Sequence, residues 1–349
     1  MSSTVDRTSL TDVAGVRVGH VQRTDDGWLT GVTVVLPPPG TLGAVVVRGA
    51  APGTHETDAL RLGAVAPYPH AIVLTGGSAY GLVAASGAQR WCAEQGLGHP
   101  VGPQRHHVVP VVPAAAIYDL GRGGDFGAFP TEQMGYDAAC AAAASPTGAP
   151  VARGTVGAGT GATLVNETFK GGVGTASLRI DLADGLAVVV GALVVVNAFG
   201  TPLVPGAGPG AGAEAAGPFA FGSSVTDTAA GDARPVPPLN TTLVVVATDA
   251  VLAHPQLERT ADAAHDGLAR ALDPVHTLAD GDTVFALSTG RVRLPGDLTG
   301  AADPRTCRDA LVTVQAVAAR VVQAAVLDAV RSATAVTTRA IHLPVFAWR

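Results

Sequence analysis

The sequence predicts a mixed α/β protein in which β-hairpins outnumber strict β-α-β alternation. Valine-rich runs bounded by Gly and Pro recur along the chain, and apolar residues spaced three or four apart lie between them. Of the 349 residues, 47% are hydrophobic and 14% are charged. A chain with this length and apolar content is not disordered and can bury a sizeable core.

Six segments are predicted to be strands because they are short, rich in β-branched residues and bounded by turn residues. They cover residues 31–36, 43–47, 71–74, 108–112, 186–196 and 242–248. Three helices are predicted from the spacing of apolar residues, over 78–95, from Pro255 to Leu272, and over 308–332. Ser78 is predicted to cap the N-terminus of the first helix, after a turn at Gly76 and Gly77.

Residues 205–239 form the clearest break in these patterns. The segment is rich in Gly, Ala and Pro and closes with Pro235, Pro237 and Pro238. Such a composition neither buries a core nor holds a helix, so a long exposed loop is predicted. The loop leads through Asn240 and Thr241 directly into the last predicted strand.

Composition and charge exclude several kinds of partner and site. The net charge of −6 gives no basic surface for nucleic acid. Three widely spaced cysteines, without a Cys-x-x-Cys pair or a Cys/His cluster, indicate neither a disulfide framework nor a zinc site. The first thirty residues lack the apolar core of a signal peptide, and the most apolar run, 186–196, is too short to cross a bilayer. A cytoplasmic protein that does not bind membranes is therefore expected.

Two glycine-rich motifs do not match known nucleophile or cofactor signatures. Tyr80 stands where the Gly-x-Ser-x-Gly pattern needs its second glycine. The residues after the glycine run 154–161 would break the helix that a dinucleotide site requires, and the sequence has no Gly-Lys-Ser/Thr. We expect this run to line a surface that a substrate backbone approaches closely. No cofactor and no metal is predicted.

The chain contains 21 arginines and a single lysine, Lys170. A coding bias that replaces Lys by Arg explains the missing lysines, but it does not explain why one remains. Chance retention is one explanation. The other is a need for a compact ammonium group, since Arg is bulkier, forked and permanently charged.

The junction between Asn240 and Thr241 offers a nucleophile. A Thr hydroxyl reacts poorly unless a base lies beside it, and cutting the chain before Thr241 would supply that base as a new α-amine. The ordinary pKa of an α-amine, about 7.7–8.0, suits proton transfer near neutral pH. The alternative to a cleavage site is an ordinary boundary between a loop and a strand. Asn240 and Thr241 alone do not decide between the two.

Seven motifs carry a resemblance to one family. They occupy residues 10–20, 74–82, 112–119, 169–177, 195–200, 240–242 and 280–286, in this order. Through them the chain resembles the DmpA-type aminopeptidases, the β-peptidyl aminopeptidases and the 6-aminohexanoate-oligomer (nylon oligomer) hydrolases, which are self-cleaving N-terminal-nucleophile hydrolases. The resemblance implies a layered α-β-β-α sandwich with mixed sheets, of the DmpA and ornithine-acetyltransferase type.

The resemblance implies that Thr241 is the nucleophile and that self-cleavage of the Asn240–Thr241 bond releases it. The products would be a large chain, 1–240, and a small chain, 241–349, which stay one co-folded unit. It also implies a homo-oligomer, a tetramer or larger, of such processed heterodimers. The substrate would be a small peptide or amide, and the mechanism needs no cofactor.

Five further residues match functional positions of the family. Asn197 matches the residue that helps to hold the oxyanion, and Tyr118 and Lys170 match residues beside the nucleophile. Asp280 and Asp282 match an acidic pair that would point toward the new α-ammonium group. The helix around Tyr80 and the loop 121–126 are expected to line the pocket.

Two other functions stay open on the sequence alone. Ornithine acetyltransferases share a related fold and cleave themselves at a Thr, although usually between Ala and Thr and before Met-Leu. An uncleaved relative that only binds its ligand is the second alternative. Asp280, where the aminopeptidases have Ser, and Thr in place of Ser as the nucleophile favour the oligomer-hydrolase branch.

Overall fold

Two five-stranded β-sheets form the centre of the computed structural model, which describes residues 8–182, 185–203, 239–295 and 304–348. The strands are β1 (Arg17–Arg23), β2 (Thr30–Leu36), β3 (Leu42–Val47), β4 (Gly53–His55), β5 (Ile72–Thr75), β6 (His99–Pro100), β7 (Val108–Val109), β8 (Ala114–Ala116), β9 (Thr163–Leu164), β10 (Phe169–Lys170), β11 (Gly172–Asp181), β12 (Ala187–Asn197), β13 (Thr201–Pro202), β14 (Thr241–Ala250), β15 (Leu272–Asp273), β16 (Thr283–Val292), β17 (Val336–Thr337) and β18 (His342–Leu343). The helices are α1 (Ser78–Gly81), α2 (Ala84–Glu94), α3 (Glu132–Ala144), α4 (His254–Ala269) and α5 (Pro304–Ser332).

Both large sheets are mixed. The first has the strand order β1-β2-β5-β8-β4 and the second has the order β11-β12-β14-β16-β3. Strands β5 and β8 are parallel in the first sheet, and β14 and β16 are parallel in the second. The other six neighbouring pairs in the two sheets are antiparallel, which agrees with the hairpin-rich architecture that the sequence predicts.

Helices cover the outer face of each sheet, so the chain forms four layers. Helices α2 and α3 pack on the first sheet, while α4 and α5 pack on the second. A third apolar cluster fills the space between the two sheets and includes Val35, Leu74, Leu193, Val245 and Phe285. The α-β-β-α sandwich implied by the resemblance is confirmed.

Strand β14 shows why the sequence forms this sandwich. It is buried at nine of its ten positions, and its central residues 243–247 are all apolar, because sheets or helices cover both of its faces. Leu243 and Val245 point into the core between the sheets, and Val244 and Val246 pack against the layer of α4 and α5. Alternation along the strand therefore places the side chain of Thr241, its first residue, on the face between the sheets.

Five of the six predicted strands are present with bounds that differ by at most two residues. The sixth, 108–112, pairs only at β7, because the N–H of Val112 bonds instead to the side chain of Glu56. The predicted helix over 78–95 breaks into α1 and α2. The capping role of Ser78 is wrong, since Gly77 precedes the helix and Ser78 itself has a φ of 52°. The predicted loop over 205–239 lies outside the described residues except for Leu239.

Helix α5 is a core helix despite its apolar length. Within the described residues, Cys307–Ser332 is the one segment long and apolar enough to cross a membrane by composition. Val314, Ala318 and Val322 on this helix are buried in the cluster that also holds side chains of β12 and α4. Packing in the core accounts for the apolar stretch.

Strand β11 lies so close to α5 that only glycine fits at position 174. A Cβ on Gly174 would lie 2.1 Å from the carbonyl oxygen of Ala325 and 2.2 Å from the nitrogen of Ala329. Gly174→Ala must push the helix away from the strand. We expect it to lower the free energy of unfolding by about 1–3 kcal/mol, measured by denaturant titration.

Gly53→Ala is the matched control for this change. A Cβ at Gly53 would make ordinary contacts of 3.7 Å with Ala116. Equal stabilities of the two alanine variants would contradict the close approach of β11 and α5.

Candidate active site

Thr241 and Asn197 face each other at one end of the core between the sheets. Strands β12 and β14 are antiparallel, and their register pairs Asn197 with Thr241 and Val195 with Leu243. Val195 and Leu243 point into the core between the sheets, so Asn197 and Thr241 lie on the same face. The register brings together the predicted nucleophile and the predicted oxyanion residue.

The hydroxyl of Thr241 lies against the peptide bond that the resemblance implies is cut. Its Oγ1 donates to the carbonyl oxygen of Asn240 at 2.5 Å. The backbone N–H of Gly281 donates to the same oxygen at 2.9 Å. Glycine is needed at 281 because a Cβ there would lie 2.7 Å from Oγ1 of Thr241. Two donors therefore polarise the carbonyl of the Asn240–Thr241 bond.

The side-chain amide of Asn197 has a fixed orientation. Its Oδ1 accepts hydrogen bonds from Nη1 of Arg122 at 2.8 Å, from the N–H of Thr163 at 3.0 Å and from the hydroxyl of Thr163 at 3.2 Å. Because Arg122 and the backbone N–H can only donate, the accepting atom must be the oxygen. The Nδ2 atom is buried and has no hydrogen-bond partner within the described part of the chain. The N–H group of Asn197 Nδ2 can thus donate to an oxygen that comes from outside the described chain.

Lys170 is completely buried, and its ammonium group is held by backbone oxygens. Its Nζ donates to the carbonyls of Gly159 at 2.8 Å, Ala162 at 2.9 Å and Gly171 at 2.9 Å. Burial, and after it the charge of Arg122, lowers the pKa of Lys170 to about 7. Since all three N–H bonds are occupied, a direct bond from Lys170 to Thr241 would have to replace one of them.

Tyr118 and Asp119 follow strand β8 and lie next to the same charged groups. Tyr118 is half-buried, with the guanidinium carbon of Arg122 5.9 Å from the centre of its ring. Burial raises the pKa of Tyr118. Asp119 is fully buried and accepts a hydrogen bond of 2.6 Å from the N–H of Gly77. Burial raises the pKa of Asp119 to about 6, against the opposing charges of Arg122 and Lys170.

Asp280 and Asp282 lie just before strand β16 and anchor the turn at residues 276–277. Asp282 accepts from the N–H of Thr242 at 2.7 Å through Oδ1, and from Nδ1 of His276 at 2.7 Å through Oδ2. Asp280 accepts from the N–H and the hydroxyl of Thr277, at 2.8 and 2.6 Å. Burial, and then the charge of Asp282, raises the pKa of Asp280. Asp282 thus holds the amide next to Thr241, while Asp280 holds the turn.

The glycine run 154–161 is packed inside the protein, so its prediction as a substrate-facing surface is wrong. Gly157 and Gly159 are buried, and the carbonyl of Gly159 binds Lys170. Across residues 8–182, 185–203, 239–295 and 304–348, no group of three or more His, Cys, Asp or Glu is arranged to hold a metal ion.

The sequence profile of Peptidase family S58 matches residues 8–343. The chain belongs to Peptidase family S58. The match spans nearly the whole chain, confirms the resemblance to the DmpA-type aminopeptidases and the nylon oligomer hydrolases, and makes the chain a hydrolase of amide bonds.

Named relatives fall within the same group. An aminopeptidase of Mycobacterium bovis, described as uncharacterized, is 46% identical over 340 residues, which is 93% of this chain and 94% of the relative. The β-peptidyl aminopeptidase BapA of Sphingosinicella xenopeptidilytica is 34% identical over 81% of this chain and 70% of its own length. A 6-aminohexanoate-oligomer endohydrolase of Paenarthrobacter ureafaciens is 30% identical over 81% of this chain and 76% of its own length.

A solved structure shows the same fold. The L-aminopeptidase D-Ala-esterase/amidase of Ochrobactrum anthropi, described as a variant of the Ntn-hydrolase fold, superposes with a TM-score of 0.72 and 23% identity. The alignment covers 99% of this chain and 93% of that one.

Three residues at this candidate site are not among those matched from the sequence. Arg122 binds Asn197, Asp119 binds the turn at Gly77, and His276 binds Asp282. Arg122 belongs to the loop 121–126, which was expected to line the pocket, but its side chain points inward and is 4% exposed. The adjacency of Asp119 to Tyr118 within a family motif is the one sequence signal that could have indicated any of the three.

The raised pKa of Asp119 predicts a specific dependence of stability on pH. A carboxyl group with a pKa near 6 in the folded chain and about 3.9 in the unfolded chain holds its proton more tightly when folded. Its contribution to stability is therefore present at low pH and is lost as the pH rises through 6. Asp119→Asn cannot ionise, so between pH 4.5 and 7 the wild type should lose about 2 kcal/mol relative to this variant.

The measurement is denaturant unfolding of both proteins across this pH range. Asp58→Asn is the control, because the Asp58 side chain is 86% exposed. Its stability should run parallel to that of the wild type. Parallel curves for Asp119→Asn and the wild type would show that Asp119 does not hold its proton more tightly in the fold.

Proposed function

We propose that this chain is a self-processing amidase in which Thr241 is the N-terminal nucleophile. It would hydrolyse amide bonds of peptides or short amide oligomers through an acyl-enzyme. The observation that carries the proposal is the 2.5 Å contact between the Thr241 hydroxyl and the Asn240 carbonyl. A hydroxyl held this close needs only a small movement to reach the carbonyl carbon.

The first stage is the cleavage of the chain. Oγ1 of Thr241 attacks the carbonyl carbon of Asn240 through a five-membered ring, and the N–H of Gly281 stabilises the oxygen as it becomes negative. The C–N bond then breaks, the hydroxyl proton ends on the nitrogen of Thr241, and an ester joins the two residues. Water hydrolyses this ester, which leaves a carboxylate on Asn240 and both a hydroxyl and an α-amine on Thr241.

The second stage is the hydrolysis of a substrate. The α-amine of Thr241 accepts the hydroxyl proton while Oγ1 attacks the substrate carbonyl, and Nδ2 of Asn197 donates to the developing oxyanion. The leaving amine takes the proton, and water then hydrolyses the acyl ester. Asp280 and Asp282 would favour the charged form of the α-amine and hold its orientation, as carboxylates near an amine do.

Lys170 and Tyr118 complete the proposed site in different ways. The buried ammonium of Lys170 contributes positive charge and orders the carbonyls that it binds. The half-buried ring of Tyr118 is assigned to the side of the site that meets the substrate. Neither residue carries the nucleophile or the base.

The two products of cleavage would remain together. Strand β14 begins the small chain and pairs with β12 of the large chain, and α5 of the small chain packs on β11 and β12. Separation would expose the apolar side chains that these strands and helices bury, which opposes dissociation.

The proposed substrate class is supported by the names of two relatives. One relative is named for β-peptides and another for oligomers of 6-aminohexanoate, and both compounds are short chains of amide bonds. We therefore propose that the acyl group comes from a peptide or a short synthetic or natural amide oligomer.

Denaturing electrophoresis tests the proposal directly. Scaling the 34.7 kDa chain by length gives fragments of about 24 kDa for residues 1–240 and about 11 kDa for 241–349. The purified wild type should show both fragments and release amine from a peptide or 6-aminohexanoate oligomer. Thr241→Ala should stay at full length and lose the amidase activity, because it lacks the attacking oxygen.

Thr242→Ala is the matched control for Thr241→Ala. The hydroxyl of Thr242 is buried and has no partner among the described residues, so its removal should leave cleavage and turnover intact. A wild type that remains a single full-length band after long incubation would refute self-processing. An active, uncut Thr241→Ala protein would refute the role of Thr241.

A further inference from the structure

Arg122 is buried beside the proposed site, and no step of the proposed reaction uses it. We propose that Arg122 is a positioning residue that holds the side-chain amide of Asn197 with Nδ2 turned toward the oxyanion of hydrolysis. This inference rests on the proposed function, because it concerns the same reaction. Arg122 itself does not touch the substrate in this proposal.

The guanidinium group of Arg122 connects three separate segments. Its Nη1 donates to the carbonyl of Gly161 at 2.7 Å and to Oδ1 of Asn197 at 2.8 Å, and its Nη2 donates to Glu167 at 2.5 Å. The hydroxyl of Thr338 bonds to its backbone carbonyl at 2.7 Å and fixes the start of the side chain. A side chain tied at both ends has little freedom to move, so it can define the position of what it binds.

The contact with Arg122 determines what Asn197 can do. It occupies the oxygen of the amide and leaves Nδ2 as the free end, directly across the strand pair from Thr241. A cationic group that donates a hydrogen bond to the oxygen of an amide also draws electrons from the N–H group of that amide. The N–H group thereby becomes a better donor. Without Arg122, Oδ1 keeps only its contacts with Thr163, and the amide has more freedom to tilt away from the acyl group.

The charges around Arg122 show why arginine suits this place. Glu167, with 38% of its side chain exposed, supplies a counter-charge on the solvent side, and Lys170 and Asp119 lie on the buried side. A planar fork reaches Gly161, Asn197 and Glu167 together, whereas the single ammonium group of a lysine cannot. The arrangement therefore depends on the shape of the group as well as on its charge.

The test compares Arg122→Met and Arg122→Lys with the wild type in steady-state hydrolysis of a short peptide or 6-aminohexanoate oligomer. Both variants should still be cut, because the Asn240 carbonyl has its own donor in Gly281. We expect kcat to fall by about tenfold to a hundredfold in Arg122→Met and by less in Arg122→Lys, with KM within about twofold of the wild type. Arg122→Lys also provides the measurement if Arg122→Met does not fold.

Arg153→Met is the matched control. Arg153 is also largely buried and ion-paired, with Asp328, and it donates to the carbonyl of Thr8 away from the site. Its loss should reduce stability without the selective fall in kcat. An equal fall in kcat for Arg153→Met and Arg122→Met would reduce Arg122 to a general structural role and overturn the inference.

A double-mutant cycle with Asn197→Ala separates positioning from an independent effect. If Arg122 acts through Asn197, then Arg122→Met should cost little in a chain that already lacks the amide, so the two effects should not multiply. The cycle is measured on kcat, and Asn197→Ala should be cut like the Arg122 variants because the Asn240 carbonyl has its own donor in Gly281. Multiplying effects, or wild-type kcat in Arg122→Met, would overturn the inference. An uncut and inactive wild type would instead refute the proposed function.

Discussion

The antiparallel pairing of β12 with β14 is the constraint on which the site depends. It sets Asn197 opposite Thr241 at the point where both strands leave the core between the sheets. A slip of one residue would turn the hydroxyl of Thr241 to the opposite face, because side chains alternate along a strand. The register is held by Val and Leu side chains that are buried on both faces of the sheet. Apolar packing thus determines the geometry of a polar site.

Charged side chains within this apolar frame each have specific partners. Arg122 pairs with Glu167, Lys170 binds backbone carbonyls, and Asp119 accepts an N–H. Burying a charge is unfavourable unless hydrogen bonds replace the lost water, and the same burial moves the pKa of Lys170 to about 7 and that of Asp119 to about 6. Groups that change protonation near neutral pH cluster at active sites more than elsewhere. The cluster lies beside Asn197 and Thr241, which supports the proposed active site.

The sequence predicts those parts of the fold whose signal is local. The valine-rich strands and α5 are recognisable because neighbouring residues carry the pattern, and Thr241 stands where a loop pattern changes to a strand pattern. Strands β1 and β11 are not predicted because glycines interrupt their apolar patterns. Glycine is required at 19 and 174 because α3 packs closely against β1 and α5 packs closely against β11. Arg122 escapes because its partners lie 39, 45 and 75 residues away along the chain. Only the folded sheets bring such residues together.

Lys170 and Arg122 hold one short segment, residues 159–163, from two directions. Lys170 binds two carbonyls of this segment and Arg122 binds a third between them. The last residue of the segment donates its N–H and its hydroxyl to the oxygen of Asn197. An ammonium group suits the binding of carbonyls that surround one point, because its three N–H bonds diverge from a single nitrogen. The N–H bonds of a guanidinium lie in one plane and cannot reach carbonyls arranged in this way. The single lysine among 21 arginines therefore has a geometric reason to remain, which is the orientation of Asn197 opposite Thr241.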